Sequence, residues 1–387
     1  MAENSKKPRL RFKGFTETWE QREFGKVVNR LTEMACISEL PRVEYEDIIS
    51  GIGLLNKDIT KKQSNKSGLL FSQGDILYGK LRPYLKNWLI PSFSGIAVGD
   101  FWVLKPENSD SGFIYRLIQT KQFDNVANQS TGTKMPRADW KLVSNTMFYV
   151  PILITEQVII GRCFSVLDKL ITLHQREENA LFFNKISINL FLKVAFAWEQ
   201  RELGKIGSTY TGLSGKSKVD FGHGKGKFIT YMNVFTNPIA NLGTVEPIEI
   251  DDKQNTVLVG DVFFTTSSET PEEVGMSCVL TENSPNTYLN SFCFGYRPIV
   301  KFDNYYLAYM LRSVSFRGKI TFLAQGISRY NISKNKVMEI EIPIPDFHEQ
   351  QKIGAYFRNI DNLITLHQRQ LERLKNIKSA LLEKMFV

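Results

Sequence analysis

Several short motifs resemble parts of catalytic sites, and each lacks a residue that its chemistry needs. The run Gly212–Ser217 ends in Gly-Lys-Ser, but Tyr210 stands where a phosphate-binding loop has its first glycine. Lys352 replaces the second histidine that a zinc-protease helix needs after His348-Glu349. The chain has no Asn-Pro-Pro-Tyr or Asp-Pro-Pro-Tyr tetrapeptide of amino-methyltransferases, and no acidic-x-Lys nuclease pair follows Pro345-Asp346. We therefore predict a chain that is not an enzyme and holds no metal or cofactor of its own.

Basic residues interleaved with aromatic ones indicate the binding of an anionic polymer. Between Lys57 and Lys86 there are seven Lys or Arg residues against two acids, and Ser214–Lys227 carries four lysines among glycines with one acid, Asp220. Such loops bind phosphates through charge and backbone amides, while Arg, Asn, Gln and Ser side chains read base edges. The alternative is a solvated loop with surplus charge. The residues that we expect to contact nucleic acid are Lys80, Arg82, Tyr84, Lys134 and Arg137 in the first half, and Lys216, Lys218, Lys225, Gln325, Arg329 and Tyr330 in the second.

Two long amphipathic segments must position these loops. Glu156–Lys193 and Glu349–Val387 contain Asp168–Arg176 and Asp361–Arg369, which lie 193 residues apart and are identical at all but one position. Apolar residues recur in alternating steps of four and three, the pattern of helices that pair lengthwise. At about 1.5 Å per residue, each segment predicts a helix of roughly 57 Å. The seam positions are Ile160, Phe164, Leu167, Ile171, His174, Glu178, Leu181, Lys185, Ile188 and Leu192 in the first copy, and Ile353, Phe357, Ile360, Ile364, His367, Leu371, Leu374, Lys378, Leu381 and Met385 in the second.

His174 and His367 occupy equivalent positions in this seam. A polar residue at such a position commonly fixes the register of paired helices, and this is the interpretation that we favour. A metal-binding or catalytic role would need a third ligand, which the spacing does not suggest.

The repeat extends beyond the helices, so the chain contains a duplicated domain. Trp19–Gly25 returns as Trp198–Gly204, and Asp110 and Asp303 each open an amphipathic stretch typical of an N-capped helix. Between these landmarks the halves differ, as expected if they read different ligands. Short β-type runs separated by Gly, Asn, Ser and Pro predict an α+β fold for each half. Examples of these runs are Asp75–Tyr78, Ile96–Leu104, Phe228–Val234, Thr256–Phe264 and Ser291–Val300.

Connectivity indicates how the two helices run. The predicted division is a first variable domain at 1–155, a central helix at 156–193, a second variable domain at 194–348 and a C-terminal helix at 349–387. In a parallel pair, the second domain would have to span the whole helix length between its own ends. We therefore expect antiparallel helices in a coiled coil, an internal two-fold and a nearly circular chain.

Composition limits the environment and the partner. The chain has 387 residues, and 49 Lys and Arg against 40 Asp and Glu give a net charge of +9, which favours an anionic partner. Its four cysteines are scattered without a Cys-x-x-Cys pair and predict reduced thiols. Met1–Phe12 lacks the apolar core of a signal peptide, and no apolar run is long enough for a membrane span. We expect a cytoplasmic protein that does not bind a membrane.

The chain resembles the specificity (S) subunit of type I restriction–modification systems. The resemblance covers nearly the whole chain and rests on the duplicated Trp-Glu-Gln-Arg-x-x-Gly segments, the duplicated Leu-Ile-Thr-Leu-His-Gln-Arg helices and the two dissimilar domains between them. It implies a non-catalytic subunit whose target recognition domains each read one half of a bipartite, asymmetric site in double-stranded DNA. It also implies two methyltransferase subunits that carry S-adenosylmethionine, and restriction subunits that use ATP and Mg²⁺.

Apolar residues on the outward face of the helices predict where further helices pack, because a two-stranded coil does not bury them. We expect methyltransferase subunits to contact Leu170, Leu173, Leu363, Leu366, Ile377 and Leu382.

Other interpretations remain open at this stage. Arg137 and Arg329 could form salt bridges within their own domains. The whole chain could be a fragment of a single-chain methyltransferase-nuclease, which the missing motifs disfavour, or a coiled-coil scaffold whose variable domains bind protein.

Overall fold

The computed structural model describes residues 7–59, 65–129, 135–191 and 198–386, with side chains described outside 184–191. The chain divides into two compact units. Unit 1 comprises Met1–Arg176 and Gln368–Val387, and unit 2 comprises Glu177–His367. Each unit therefore contains one recognition domain and parts of both long helices.

Unit 1 is a mixed domain of short strands and short helices, as the sequence predicts. A four-stranded antiparallel sheet has the order β2-β11-β8-β9, and a second sheet has the order β3-β7-β10-β4, with β10 and β4 parallel. The smaller sheets are β1-β12 and β5-β6. The elements are β1 (Glu20–Glu23), α1 (Phe24–Val27), β2 (Val28–Leu31), β3 (Met34–Ala35), β4 (Arg42–Val43), β5 (Ile48–Ile49), β6 (Leu54–Leu55), β7 (Gly68–Phe71), β8 (Ile76–Gly79), β9 (Trp88–Leu89), β10 (Gly95–Ala97), β11 (Phe101–Pro106), α2 (Ser111–Leu117), α3 (Lys121–Ala127), α4 (Trp140–Ser144), β12 (Met147–Val150) and the long helix α5 (Ile154–Phe191).

Unit 2 is also a mixed domain of short strands and short helices, but the strand orders of its sheets differ from those of unit 1. Its main sheet has the order β14-β21-β17-β19, beside a three-stranded sheet β16-β15-β20 and the pairs β13-β23 and β18-β22. The elements are β13 (Glu199–Glu202), β14 (Gly207–Thr211), β15 (Phe221–Ile229), α6 (Tyr231–Thr236), β16 (Glu246–Ile248), β17 (Val262–Thr265), β18 (Ser267–Ser268), β19 (Ser277–Val279), β20 (Thr287–Leu289), β21 (Cys293–Pro298), α7 (Asn304–Met310), α8 (Val314–Leu323), β22 (Tyr330–Asn331), α9 (Lys334–Met338), β23 (Glu341–Ile344) and the long helix α10 (Phe347–Met385).

The predicted run Thr256–Phe264 is a strand only from Val262, because a turn closed by the bond from the amide of Leu258 to the Asp261 carboxylate at 2.8 Å precedes it. Two further predicted strands differ from the observed elements. The run Phe228–Val234 is a strand only to Ile229, because the side chain of Thr230 accepts a hydrogen bond from the amide of Asn233 and caps α6. The run Ile96–Leu104 is split into β10 and β11, and Gly99 between them has a φ of +103°, which suits glycine. Both errors come from local turn chemistry inside an apolar run.

The long helices confirm the predicted seam. They contain 38 and 39 residues, and every seam position whose side chain is described is buried or half-buried. Lys185, Ile188 and Leu192 lie outside the described side chains.

Contacts inside unit 1 confirm that the helices run antiparallel there. The ring centroids of Phe164 and Phe386 are 6.2 Å apart, and Lys378 Nζ lies 2.7 Å from Asp168 Oδ1. Residue numbers therefore rise along one helix as they fall along the other. The amide of Leu10 donates to the carbonyl of Lys384 at 3.0 Å, so the beginning of the described chain lies against its last helical turn, as predicted for a nearly circular chain.

Candidate nucleic-acid interface

Each recognition domain is fixed to the first turns of a long helix by the same set of contacts, which we call the docking frame. The indole of Trp19 donates to Glu156 at 3.3 Å in unit 1, and that of Trp198 donates to Glu349 at 3.1 Å in unit 2. In unit 1 the buried carboxylate of Glu156 also accepts two hydrogen bonds from Arg11, at 2.6 and 2.7 Å. The duplicated Trp-Glu-Gln-Arg segments are therefore structural anchors.

A buried glutamine forms the second part of the docking frame. Gln157 accepts from the amide of Asp110 at 2.9 Å and donates to the carbonyl of Pro151 at 2.9 Å. Gln350 makes the equivalent bonds to Asp303 and Pro345, at 3.1 and 2.9 Å. Because the oxygen and the NH₂ group of each side-chain amide both have a hydrogen-bond partner, burying these glutamines leaves neither group without a hydrogen bond.

A glycine on each long helix allows a domain helix, α2 in unit 1 and α7 in unit 2, to approach closely. Asp110 and Asp303 cap α2 and α7 by accepting from amides at 2.8 Å, which confirms the predicted N-caps. A Cβ atom at Gly161 would lie 2.9 Å from the carbonyl carbon of Gly112, and one at Gly354 would lie 2.3 Å from Asp303 Oδ1. The docking frame therefore has no room for a side chain at these two positions.

The repeated aspartate of the long helices receives unlike partners in the two units. In unit 1, Asp168 forms an ion pair with the buried Arg116 at 2.6 Å and a second with Lys378 at 2.7 Å. In unit 2, Asp361 accepts a hydrogen bond from the hydroxyl of Tyr309 at 2.7 Å. Burial raises the pKa of Tyr309, and the bond to this carboxylate raises it further, so the tyrosine stays neutral.

The segment that leaves β8 in unit 1, residues 80–86, carries three of the predicted contact residues. We call it the unit 1 exit segment. Its backbone pairs with the loop before α4: Leu81 and Arg137 form an antiparallel bridge, and the amide of Arg82 donates to Pro136 at 2.7 Å. Pro83–Leu85 then form a 3₁₀ turn. The structure thus brings Lys80, Arg82, Tyr84 and Arg137 to one surface.

Charge on this surface is partly neutralised. Lys80 Nζ lies 3.6 Å and Arg137 3.0 Å from the carboxylate of Asp100. Arg137 is thus in the domain-internal salt bridge that the sequence left open, with its side chain still 55% exposed. Tyr84 is exposed, and Arg82 has a φ of +48° at the start of the 3₁₀ turn. Lys134 lies outside the described residues.

The segment of unit 2 that corresponds to the unit 1 exit segment carries side chains of the opposite charge. The segment that leaves β17, residues 266–273, is the unit 2 exit segment, and Ser267 in it pairs with Asn331 as Leu81 pairs with Arg137. Its exposed charges are acidic and belong to Glu269, Glu272 and Glu273. Three predicted contact residues lie opposite: Gln325 and Arg329 are exposed in the loop between α8 and β22, and Tyr330, the first residue of β22, is half-buried.

Of the remaining predicted lysines of unit 2, Lys216 and Lys218 lie between β14 and β15 and Lys225 lies within β15, a position different from that of the exit segment. Lys216 is held by Asp251 at 2.8 Å and its side chain is mostly buried. This hydrogen bond is the main reason that the pKa of Asp251 falls to about 2. Lys218 and Lys225 are exposed, and Gly222 and Gly224 beside them have positive φ values that allow a tight loop.

The long helices also leave apolar side chains exposed. On α5 these include Ile159, Val166, Leu170 and Leu173, which we call the α5 stripe, as well as Ile154, Phe182 and Phe183. On α10 they include Tyr356, Leu363 and Leu366, which we call the α10 stripe. Ile377 is also exposed, whereas Leu382 is half-buried and packs on the core of unit 1. None of the described helices has the apolar length that a bilayer-spanning segment needs.

Comparison with known proteins identifies the family. The model of the type I restriction–modification DNA specificity domain matches residues 16–181 and 197–376. The chain belongs to this family. Proteins of this family are non-catalytic DNA-recognition subunits of restriction–modification complexes, and the resemblance inferred from the repeats is confirmed.

Relatives of this chain are also described as specificity subunits. The type I restriction enzyme MjaVIII specificity subunit of Methanocaldococcus jannaschii is 24% identical over 382 residues, covering 88% of this chain and 84% of that protein. The putative MjaX specificity subunit of the same organism is 29% identical over 220 residues, and the match spans about half of each chain, 54% and 49%. The S subunit from M. genitalium has the same fold, with a TM-score of 0.58, 14% identity and 99% coverage of both chains.

Sequence reasoning missed the residues of the docking frame. Gln157, Gly161 and Asp168 each recur 193 residues later, at Gln350, Gly354 and Asp361. This recurrence was the available signal, because identity outside the apolar seam has no explanation in a coiled coil.

Proposed function

We propose that this specificity subunit reads a bipartite, asymmetric DNA site, with one recognition domain for each half-site. The observation that carries the proposal is the docking frame, whose tryptophan, glutamine and glycine contacts recur in both units around unlike exit segments. The same attachment to a long helix, combined with different DNA-contacting surfaces, suits a protein that must place two different recognition domains on one DNA molecule. The long helices, each roughly 57 Å at the usual helical rise, would set the unread gap between half-sites.

In unit 1 the proposed contacts come from the exit segment and from Arg137. Exposed cations contact phosphates, while Arg82 and Tyr84 extend from a fixed 3₁₀ turn towards the groove. In unit 2 the exposed Lys218 and Lys225 contact phosphates, and the loop with Gln325 and Arg329 reads base edges. Half-sites centred about 34–36 Å apart would place both domains on the same side of the duplex.

Two methyltransferase subunits are proposed to dock on the helices. The α5 stripe and the α10 stripe support this, because Leu170 and Leu173 recur 193 residues later as Leu363 and Leu366 and all four are exposed. Exposed apolar rows on helices suit further helix packing. S-adenosylmethionine is then held by these partners, and ATP and Mg²⁺ by restriction subunits, in a cytoplasmic complex.

The methylated motif tests the recognition proposal. DNA from cells that contain the wild-type complex should show one two-part motif. The double substitution Arg82→Ala with Tyr84→Ala should relax one half of it, and Arg329→Ala should relax the other half. If either variant complex lost both halves of the motif together, or if no complex bound DNA with sequence preference, the result would contradict one domain per half-site and favour a protein-binding scaffold.

Complex stoichiometry tests the docking proposal. Replacing Leu170 and Leu173 by Asp should remove one methyltransferase subunit from the complex, and replacing Leu363 and Leu366 by Asp should remove the other. Native mass spectrometry of each purified complex measures this. The matched control is Ile299→Asp, since Ile299 is an exposed apolar residue outside both stripes and should leave two subunits bound.

A further inference from the structure

We propose that Ile327 reads the C5-methyl group of a thymine in the half-site bound by unit 2, with Gln325 and Arg329 reading the neighbouring base pairs. The inference rests on the proposed function and names a specificity-determining residue within it. Three side chains of different chemistry thus form one reading surface within five residues of chain.

The loop that carries Ile327 is a hairpin with a defined backbone, which we call the reading hairpin (residues 325–331). The amide of Gln325 donates to the carbonyl of Asn331 at 3.0 Å, and the reverse bond measures 2.8 Å. The hairpin is fixed to the exit segment by the pairing of β22 with β18 and by a bond from the amide of Ile332 to Thr266 at 3.0 Å. A side chain held on such a base keeps its position when DNA binds, which lowers the entropic cost of reading.

Gly326 shapes the turn of the reading hairpin. Its φ is +147°, and a Cβ atom there would lie 2.1 Å from the carbonyl oxygen of Arg329. The turn is therefore tight, and it directs Ile327 away from the domain.

Exposure sets Ile327 apart from the other apolar side chains. It is 97% exposed, the largest fraction among the large hydrophobic side chains in the described part of the chain. Its neighbour Ile332 is buried in the core of unit 2. Ile327 contributes no packing to the fold, so a role on the protein surface is the explanation that its position favours.

Charge around the reading hairpin disfavours phosphate as its ligand. The exit segment to which it is paired carries Glu269, Glu272 and Glu273, all exposed. These carboxylates repel the DNA backbone, so a DNA-bound hairpin must extend past the phosphates to the base edges. The major groove admits a two-stranded ribbon, and the thymine methyl group is the apolar feature among its base edges. Glutamine pairs with adenine and arginine with guanine in the same groove, which matches the residues on either side.

The test replaces each thymine of the unit 2 half-site with deoxyuridine, which removes the methyl group alone. The methylated motif identifies the half-site, and binding is measured for the complete complex with its methyltransferase subunits. For the wild type, one substitution should weaken binding about fourfold, the value of one buried methyl-sized group. For Ile327→Ala the same substitution should have no effect, while Ile327→Val should retain most of the sensitivity.

Three results would overturn the inference. The first is equal sensitivity of wild type and Ile327→Ala at every thymine, and the second is a half-site that contains no A·T pair. The third is a loss of methyltransferase affinity in Ile327→Ala, which would make the hairpin a protein contact. If the inference fails while the complex still binds a two-part motif, the proposed function stands; if the complex shows no sequence preference, both fail.

Discussion

Unit 1 and unit 2 hold their exit segments in the same way and place opposite charges on them. Leu81 bridges to Arg137 in unit 1, and Ser267 bridges to Asn331 in unit 2. Beyond these pairs the first segment is basic, with Arg82 and Lys86, and the second carries three glutamates. The difference shows that backbone pairing and surface chemistry vary independently in this fold.

The same independence appears at the repeated aspartate. From its own domain Asp168 receives the cation Arg116, whereas Asp361 receives the neutral Tyr309, and both contacts join a domain helix to a long helix. The position is shared, but the electrostatic consequences differ. Substitutions at this position therefore separate what the two units share from what they do not.

The largest effect is expected at Asp168. Asp168→Asn leaves the guanidinium of Arg116 buried without a charge partner, and we expect a loss of about 3 kcal/mol in the free energy of unfolding. Asp361→Asn should cost less at its contact with the domain, because the amide oxygen still accepts from the neutral Tyr309. Urea unfolding monitored by circular dichroism measures both. Equal losses in the free energy of unfolding would mean that a cationic partner and a neutral partner of the repeated aspartate contribute equally to stability.

A second variant sharpens this result. Arg116→Tyr copies the unit 2 partner into unit 1 and should destabilise less than Asp168→Asn, because it leaves no unpaired buried charge. A larger loss than that of Asp168→Asn would show that the guanidinium packing, and not its charge, holds the helices together.

The next effect concerns the part that the units share. Gly354→Ala brings a Cβ atom within 2.3 Å of Asp303 and 2.7 Å of the Tyr306 amide, and overpacking of this kind costs about 2 kcal/mol. Gly161→Ala should cost about 1 kcal/mol, since its shortest contacts are 2.9 Å. Gly318→Ala in α8 is the matched control: a Cβ there meets nothing within 4 Å, and it should stabilise by about 0.5–1 kcal/mol. Thermal unfolding of the three variants would contradict the close-packing account if all three behaved alike.

A smaller effect distinguishes the two reading surfaces in DNA binding. If the exposed cations of unit 1 contact phosphates, Lys86→Ala in its exit segment should reduce the slope of log affinity against log salt by about 1. Arg329→Ala should leave that slope nearly unchanged and reduce discrimination at one base pair. Fluorescence anisotropy of the complete complex over a salt series measures both quantities. The reverse pattern would assign base reading to Lys86 and phosphate contact to Arg329.

The smallest expected effect is a local titration in unit 2. The bond from Lys216 lowers the pKa of Asp251 to about 2, so this carboxylate should remain ionised down to about pH 3 in the wild type. A depressed pKa contributes stability that is present above the unfolded value of about 3.9 and is lost as pH falls towards 2. In Lys216→Met the midpoint should move up towards about 4, as followed by the carboxyl carbon signal in NMR. An unchanged midpoint would show that the lysine does not hold the loop.

Local patterns predicted a large part of this architecture. The seam residues of α5 and α10 recur with helical spacing, and helix formation depends on neighbours three and four residues away. Asp110 and Asp303 predicted helix starts for the same reason, since a cap acts within its own turn. The predicted strand Phe228–Val234 failed because the capping bond of Thr230 outweighed the β character of the residues around it.

The candidate interface was predictable only in part. Charge and residue type selected Arg82, Tyr84 and Arg329, all of which lie on the paired loops. The ion pair of Arg137 with Asp100 and the acidic unit 2 exit segment depend on residues far apart in the chain, which no local pattern joins. Ile327 was missed because an isoleucine is expected in a core until its exposure is known.

The sequence alone determined the duplication, the paired helices, the antiparallel direction and the family, because each follows from repetition and periodicity along the chain. Tertiary structure decided which repeated residues build the docking frame and which charges survive at the surface. The reason is physical: a glycine contact such as that of Gly354 with Asp303, or the pairing of the two exit segments with their loops, exists only once distant parts of the chain have packed together.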